Sequence, residues 1–191
     1  MNESGKKLLN FGIIFVLSGI AIYFYLNSKS QTRQAHPPMA TQTDNQVMEQ
    51  MITELESLRE NLQQTPDDFA TIQRIANINY DLNQPDSAIV YYEKALTQQP
   101  SNAEILTDCA VMYFRNDDTQ KALAYLDKAI EINPKLPQAW FNKGFILMIG
   151  EEKPAEAIAV WRKFIEIDPE SEQSRFIQSQ IEAIEAMPDR Q

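Results

Sequence analysis

The sequence of 191 residues predicts an all-α protein made of antiparallel helix pairs and preceded by one membrane-spanning helix. Three observations support this prediction. Prolines recur at nearly constant intervals, at positions 66, 100, 134 and 169. Between them, apolar residues follow the three- and four-residue spacing of amphipathic helices. Near the start of the chain, a long apolar run carries no charged side chain.

Residues 8–26, LLNFGIIFVLSGIAIYFYL, are expected to form a transmembrane helix. At about 1.5 Å per residue this run spans roughly 28 Å, close to the hydrocarbon thickness of a bilayer. A cleaved signal peptide is the alternative. The run is longer than a usual signal core, and no small-x-small cleavage site follows it, so an uncleaved anchor is favoured.

Charges flank this segment almost evenly, which makes its orientation a weaker prediction. Lys6 and Lys7 lie in the basic N-terminus, residues 1–7, while Lys29 and Arg33 follow the helix. A short basic segment before an apolar run is typical of an export signal-anchor. We therefore expect a single-pass protein of the inner or plasma membrane whose body is extracytoplasmic, connected by a polar linker over residues 27–43.

The acidic body of the chain argues against nucleic acid as a partner. Residues 1–40 carry a formal charge of +3, so the total of −10 leaves −13 for the remainder, which repels phosphate. One Cys and one His make an internal disulfide impossible and a Cys/His zinc site very improbable. No metal and no cofactor are expected.

A repeat of 34 or 35 residues accounts for most of the body. Eight residues before three of the prolines stands a large apolar residue: Tyr92, Leu126 and Trp161. Four residues earlier stands an alanine: Ala88, Ala122 and Ala157. Twelve or thirteen residues before that stands a small residue, where two helices should cross closely: Ala76, Ala110 and Gly144. The expected helices are 68–82, 86–98, 102–115, 119–132, 137–149 and 154–167.

This pattern resembles the tetratricopeptide repeat family, whose motif is W-x2-L-G-x2-Y, then A-x3-F, then P. In the third copy it reads Trp140-x2-Lys143-Gly144-x2-Leu147. The resemblance implies a right-handed solenoid with repeats at 67–100, 101–134 and 135–169. Two departures stand out, because Lys143 replaces an apolar residue and Phe164 replaces a small one.

Helical segments are expected on both sides of the repeats. Residues 44–66 predict an N-terminal capping helix, and residues 170–191 a C-terminal one that faces the last repeat. The near-heptad apolar spacing in 44–64 also permits a short coiled coil. At the start of the second repeat, Ser101 and Glu104 have the spacing of a capping box.

No residue constellation predicts catalysis, so an enzyme is not expected. Cys109 lies between apolar neighbours as a core thiol, and His36 lies alone in the linker. The acidic pairs at 67–68, 117–118 and 151–152 fall at helix starts or turns, where they face solvent and favour the helix dipole.

The resemblance implies a concave groove that binds a peptide or protein partner. Its lining positions map onto ten residues: Gln73, Asn77, Tyr80, Thr107, Val111, Phe114, Gln138, Phe141, Phe145 and Met148. The first repeat supplies polar side chains and the third supplies apolar ones. The alternative is a groove covered by residues 44–64 or by the C-terminal helix. Relatives that hold a terminal carboxylate use several cations, whereas only Arg74 and Arg115 lie nearby here.

Together these features predict a membrane-tethered scaffold or assembly factor. The third repeat is similar to envelope tetratricopeptide proteins of bacterial cytochrome c biogenesis, which present unfolded apocytochrome to the haem-attaching machinery. The competing hypothesis is an oligomerising structural adaptor without a client peptide, joined through residues 8–26 or 44–64.

Overall fold

The computed structural model describes residues 44–186, and side-chain burial from residue 46. All secondary structure in this range is helical. The helices are α1 Asp44–Gln64, α2 Phe69–Asp81, α3 Pro85–Gln98, α4 Ala103–Arg115, α5 Thr119–Ile132, α6 Pro137–Ile149, α7 Pro154–Ile167 and α8 Glu172–Glu185. The bounds of the six repeat helices lie within one residue of those expected.

Among the described residues, 44–174 form one compact unit, and 175–186 belong to a second one. Three predicted segments lie outside the described residues: the basic N-terminus at 1–7, the transmembrane helix at 8–26 and the polar linker at 27–43. Of the helices within 44–186, none has both the length and the apolar character needed to cross a membrane. The role of α8 as a cap stays a prediction, since most of it belongs to the second unit.

Antiparallel neighbours pack in sequence order within residues 42–174. Helix α2 packs on α3, α4 on α5 and α6 on α7, while α3–α4 and α5–α6 contacts join successive pairs. Helix α4 also contacts α6, and α1 packs on α2 through a small cluster of Leu55, Ile75 and Ile78. The first helices of the pairs therefore form one layer and the second helices form another.

Helix starts are fixed by polar caps or by proline. The carboxylates of Asp68 and Asp118 and the amide oxygen of Asn102 accept hydrogen bonds from backbone N–H groups three residues on. Proline occupies the first turn of α3, α6 and α7. The capping box expected from Ser101 is wrong, because Asn102 is the capping residue and its side chain binds the N–H of Ile105 at 3.1 Å.

The turn inside each repeat contains one residue with positive φ. These residues are Asn83 at 53°, Asp117 at 61° and Glu152 at 54°. Asn and Asp tolerate this left-handed conformation through local hydrogen bonds, whereas a longer side chain is strained by about 1 kcal/mol. Of the three turn residues, Glu152 is therefore the least suited to positive φ.

We expect Glu152→Gly to stabilise the protein by about 0.5–1 kcal/mol, because glycine adopts positive φ without a clash. Glu152 is exposed, so the substitution removes no packing. Asp117→Gly is the matched control and should gain less stability, because aspartate already tolerates positive φ. Urea unfolding followed by circular dichroism measures both; a loss of stability in the Glu152 variant contradicts the strain argument.

The small-residue slots lie where the helices of each pair cross, as expected. Ala76, Ala110 and Gly144 are all buried. A Cβ atom on Gly144 would lie 2.3 Å from Cδ1 and Nε1 of Trp161, which is fully buried. The indole N–H of Trp161 donates to the carbonyl oxygen of Phe141 at 3.1 Å, which fixes the ring across the glycine.

The third repeat departs from the other two in two contacts. Trp140 aligns with Ile72 and Leu106, which are fully buried, yet it is only half-buried, and its N–H donates to the carbonyl of Pro134 at 2.9 Å. Lys143 forms an ion pair with Asp127 of α5 at 2.5 Å. These two contacts place polar interactions where the repeat usually packs apolar side chains.

Candidate functional site: a groove along α2, α4 and α6

The ten residues predicted to line the groove all lie on the first helices of the three pairs. Four of them are buried: Thr107, Val111, Phe141 and Met148. The other six are half-buried: Gln73, Asn77, Tyr80, Phe114, Gln138 and Phe145. The half-buried set is accessible enough to line the predicted groove, and the buried set belongs to the protein interior. Peptide binding by these residues stays a prediction.

The apolar end of the groove lies where α4 packs on α6. The rings of Phe114 and Phe145 meet edge to face, with centroids 6.2 Å apart and an interplanar angle of 86°. Below them, Phe141 packs on Phe164 of α7 at 5.4 Å. The large residue at position 164 thus fills space against a groove residue, which accounts for its departure from the repeat pattern.

The polar end of the groove lies on α2. The Tyr92 hydroxyl donates to Oδ1 of Asn77 at 3.0 Å. This bond orients the amide so that its N–H2 group points away from the Tyr92 hydroxyl. The Thr107 hydroxyl donates to the carbonyl of Ala103 at 2.8 Å. Asn77 therefore keeps donors for a ligand, while Thr107 uses its only donor within its own helix.

Both arginines near the groove are engaged by neighbouring groups. Arg74 binds the Glu54 carboxylate with two hydrogen bonds of 2.6 and 2.7 Å, and this bonding lowers the pKa of Glu54. Arg115 lies over the Tyr80 ring at 4.8 Å and donates to Oδ1 of Asn83 at 3.3 Å. This geometry does not favour capture of a free carboxylate by these cations.

Sequence reasoning missed Asp108, which lies on α4 one residue after Thr107. Burial, together with the charges of Glu104 and Asp81, raises the pKa of this carboxyl to about 7. Asp108 in turn contributes to the raised pKa of Tyr80, about 12, whose main cause is burial. The only signal in the sequence was a charged residue between two core positions, Leu106 and Cys109.

Cys109 does not have the environment of a nucleophile. Its thiol is free and buried, and burial together with the nearby Glu93 carboxylate raises its pKa, so it stays protonated. Glu93 accepts hydrogen bonds from the Tyr113 and Tyr125 hydroxyls. Among residues 44–186, no group of three or more His, Cys, Asp and Glu side chains is placed to hold a metal ion.

Comparison with known proteins identifies the repeats. Two family profiles, each described as tetratricopeptide repeat, match residues 79–142 and residues 137–171. The mouse protein named Tetratricopeptide repeat protein 28 is 30% identical over 118 residues, which are 58% of this chain and 5% of that protein. The Photosystem I assembly protein Ycf3 of Acaryochloris marina is 32% identical over 89 residues, or 39% of this chain and 54% of that protein. This chain thus spans from a twentieth to about half the length of these two relatives.

Solved structures agree on the fold. A crystal structure of MamA superposes with a TM-score of 0.63 at 17% identity, covering 78% of this chain and 97% of that one. The first repeat domain of Spaghetti (RPAP3), bound to the HSP90 peptide SRMEEVD, gives a TM-score of 0.56 at 20% identity over 62% of this chain and 96% of that one. The helix pairs of residues 79–171 are therefore tetratricopeptide repeats.

Proposed function

We propose that this protein is a membrane-tethered scaffold or assembly factor that binds a peptide segment of a protein partner in the groove along α2, α4 and α6. The observation that supports it is the set of half-buried side chains on these helices, with aromatic rings on α4 and α6 and an oriented amide on α2. Aromatic and apolar side chains supply contact area, and amide donors fix a peptide backbone.

Two neighbours support the same kind of function. The similar repeat domain of RPAP3 is described as bound to an HSP90 peptide, and the relative Ycf3 is named an assembly protein. Tetratricopeptide repeats typically serve as scaffolds for protein interaction rather than as enzymes. Attachment through residues 8–26, with the repeats on the extracytoplasmic side, would keep the groove at high effective concentration beside membrane partners.

Within this proposal, the first client to test is unfolded apocytochrome c. Its support is the resemblance of the third repeat, from Phe141 to Trp161, to cytochrome c biogenesis proteins. The formal charge of −13 on residues 41–191 also suits a basic client segment.

A second candidate function is the oligomerising adaptor. Val47, Met48 and Ile52 on the N-terminal half of α1 are 37%, 51% and 44% exposed. Three large apolar side chains on two adjacent turns offer a helix-pairing surface. This surface lies on α1 and not on the three helices of the groove, so the two functions predict contacts at different positions.

In-cell photocrosslinking separates these functions. A photoreactive phenylalanine analogue at position 145 should give adducts with a different protein, identified by mass spectrometry. The matched control is position 90 on α3, where Val90 is 63% exposed and outside the groove. Adducts from position 145 only to a second copy, or only to residues 44–64 or 170–191 of the same chain, contradict client binding. An adduct with a cytochrome supports the narrower proposal that the client is apocytochrome c.

Phe145→Glu should weaken binding of the crosslinked client segment by about tenfold or more, because it places a charge against Phe114 at the apolar end of the groove. Val90→Glu introduces the same charge on α3 and should leave binding unchanged. Fluorescence anisotropy with the labelled segment measures the affinity, and circular dichroism checks helix content. Equal weakening by both variants would show a general charge effect and not a groove contact.

A further inference from the structure

The groove is acidic at its polar end, where carboxylates of α2 and α4 lie near Tyr80. The carboxylates of Asp81, Glu104 and Asp108 lie close enough to influence one another electrostatically. Arg74 and Arg115 are the cations that act on Asp81, and each is already held, Arg74 by Glu54 and Arg115 by Tyr80 and Asn83. Negative charge at this end of the groove is therefore only partly compensated.

Asp108 is the least exposed carboxylate of this group, since Asp81 and Glu104 are both exposed. It is half-buried, and among residues 44–186 it accepts no hydrogen bond and forms no ion pair. A carboxylate in that environment is costly until a cation or a donor reaches it. The described acidic residues do not form a metal-ligand set, so a cationic side chain fits this position better than a metal ion.

The aromatic surface lies one helix further along the groove. Asp108 belongs to α4, and Phe145 belongs to α6, which packs directly on α4. Packed helix axes are about 8–10 Å apart, and Phe114, which meets Phe145, lies about 9 Å along α4 from Asp108. An extended peptide covers this span in about three or four residues. A peptide that crosses the helices could thus place one side chain at each position.

We propose that the groove selects peptide segments in which a Lys or Arg lies about three residues from an apolar or aromatic residue. The cation pairs with Asp108, and the apolar side chain contacts Phe114 and Phe145. This inference rests on the proposed function and adds the chemistry of its client. Charge complementarity supports it, because residues 41–191 carry a formal charge of −13. The HSP90 peptide of the RPAP3 domain, SRMEEVD, has the opposite character, with three carboxylate side chains.

Pairing with a cation makes binding depend on pH. The titratable groups that face Asp108 are Glu104 on its own helix, Asp81 and Tyr80 on α2, and Tyr92 on α3. In the empty groove the pKa of Asp108 is about 7, and only its charged form attracts a cation. Binding therefore releases a proton, and affinity for a basic peptide should be lost as the pH falls through 7.

Selection from a random nonapeptide phage library on the full chain in detergent micelles tests the sequence preference. We expect enrichment of peptides with a Lys or Arg about three residues from an apolar residue. For one selected peptide, Lys→Gln should weaken binding about tenfold. Asp108→Asn should abolish that difference, whereas Glu131→Gln, which removes the same charge from an exposed site on α5, should preserve it.

The same peptide tests the linked proton. Its affinity should rise about fivefold between pH 6 and pH 8 in the parent chain and stay flat in Asp108→Asn. Selected peptides without a cationic residue overturn this inference and leave groove binding intact. Failure to select any peptide overturns the groove function with it. Unchanged affinity of the basic peptide for Asp108→Asn also overturns the assignment of Asp108.

Discussion

Gly144→Ala should destabilise the protein by about 1–3 kcal/mol, although alanine is the better helix former by about 1 kcal/mol. The new methyl group would lie 2.3 Å from two atoms of the Trp161 ring. That ring is fully buried and tied to the Phe141 carbonyl, so it has no free space into which to move. The clash should outweigh the gain in helix propensity.

The chain itself suggests the compensating substitution. In the second repeat the same two positions hold Ala110 and Leu126, and both are fully buried. Trp161→Leu alone should cost about 2–4 kcal/mol, because it leaves a cavity beside Gly144. In the double variant, the added methyl group fills part of the space that the ring vacated. The double variant should then be more stable than the sum of the single effects predicts.

Urea unfolding of the four chains gives this coupling energy as a double-mutant cycle. We expect a favourable coupling of about 1 kcal/mol or more. Ala110→Gly is the matched control in the second repeat, where it should cost only about 1 kcal/mol for lost helix propensity and a small void. Additive single effects would contradict the view that residues 144 and 161 share one space.

The helix ends could be predicted from sequence because proline and the repeat period constrain the backbone directly. Pro85, Pro137 and Pro154 fix the first turns of three helices, and their positions are visible in the sequence. Close crossing at Gly144 was also predictable, because three aligned positions all hold small residues. The capping residue of α4 was predicted wrongly, because Ser101 and Asn102 are adjacent and both side chains can cap a helix.

Properties that depend on the third dimension could not be predicted in the same way. Trp140 occupies the aligned position of two buried residues, yet its indole is half-buried and donates a hydrogen bond to Pro134. Asp108 is a charged residue on a helix, which ordinarily indicates a solvated surface. Only the packing of α2 and α3 beside α4 shows that it lies near Tyr80 and Tyr92, where burial changes its protonation.

Asp108→Asn should stabilise the folded protein at pH 8. The pKa of Asp108 is about 7 in the folded chain against an ordinary value of 3.8, so folding favours the protonated form. Above pH 7 the folded state must bury a charge, which corresponds to a cost of about 4 kcal/mol as an upper bound. The carboxylate is half-buried, and its contact with solvent should reduce this cost to about 2 kcal/mol.

The pH dependence identifies the cause. Between about pH 4 and pH 7 the folded state binds more protons than the unfolded state, so the parent chain loses stability as the pH rises. Asparagine has no charge to bury. The gain in stability of Asp108→Asn over the parent chain should therefore be largest at pH 8 and about a third as large at pH 5. At roughly 2–4 °C for each kcal/mol, thermal unfolding at the two pH values resolves the difference. Glu131→Gln should change Tm little at either pH. If the gain in stability from Asp108→Asn is equal at pH 5 and pH 8, improved packing and not a buried charge accounts for it. The linked proton proposed for peptide binding would then lose its physical basis.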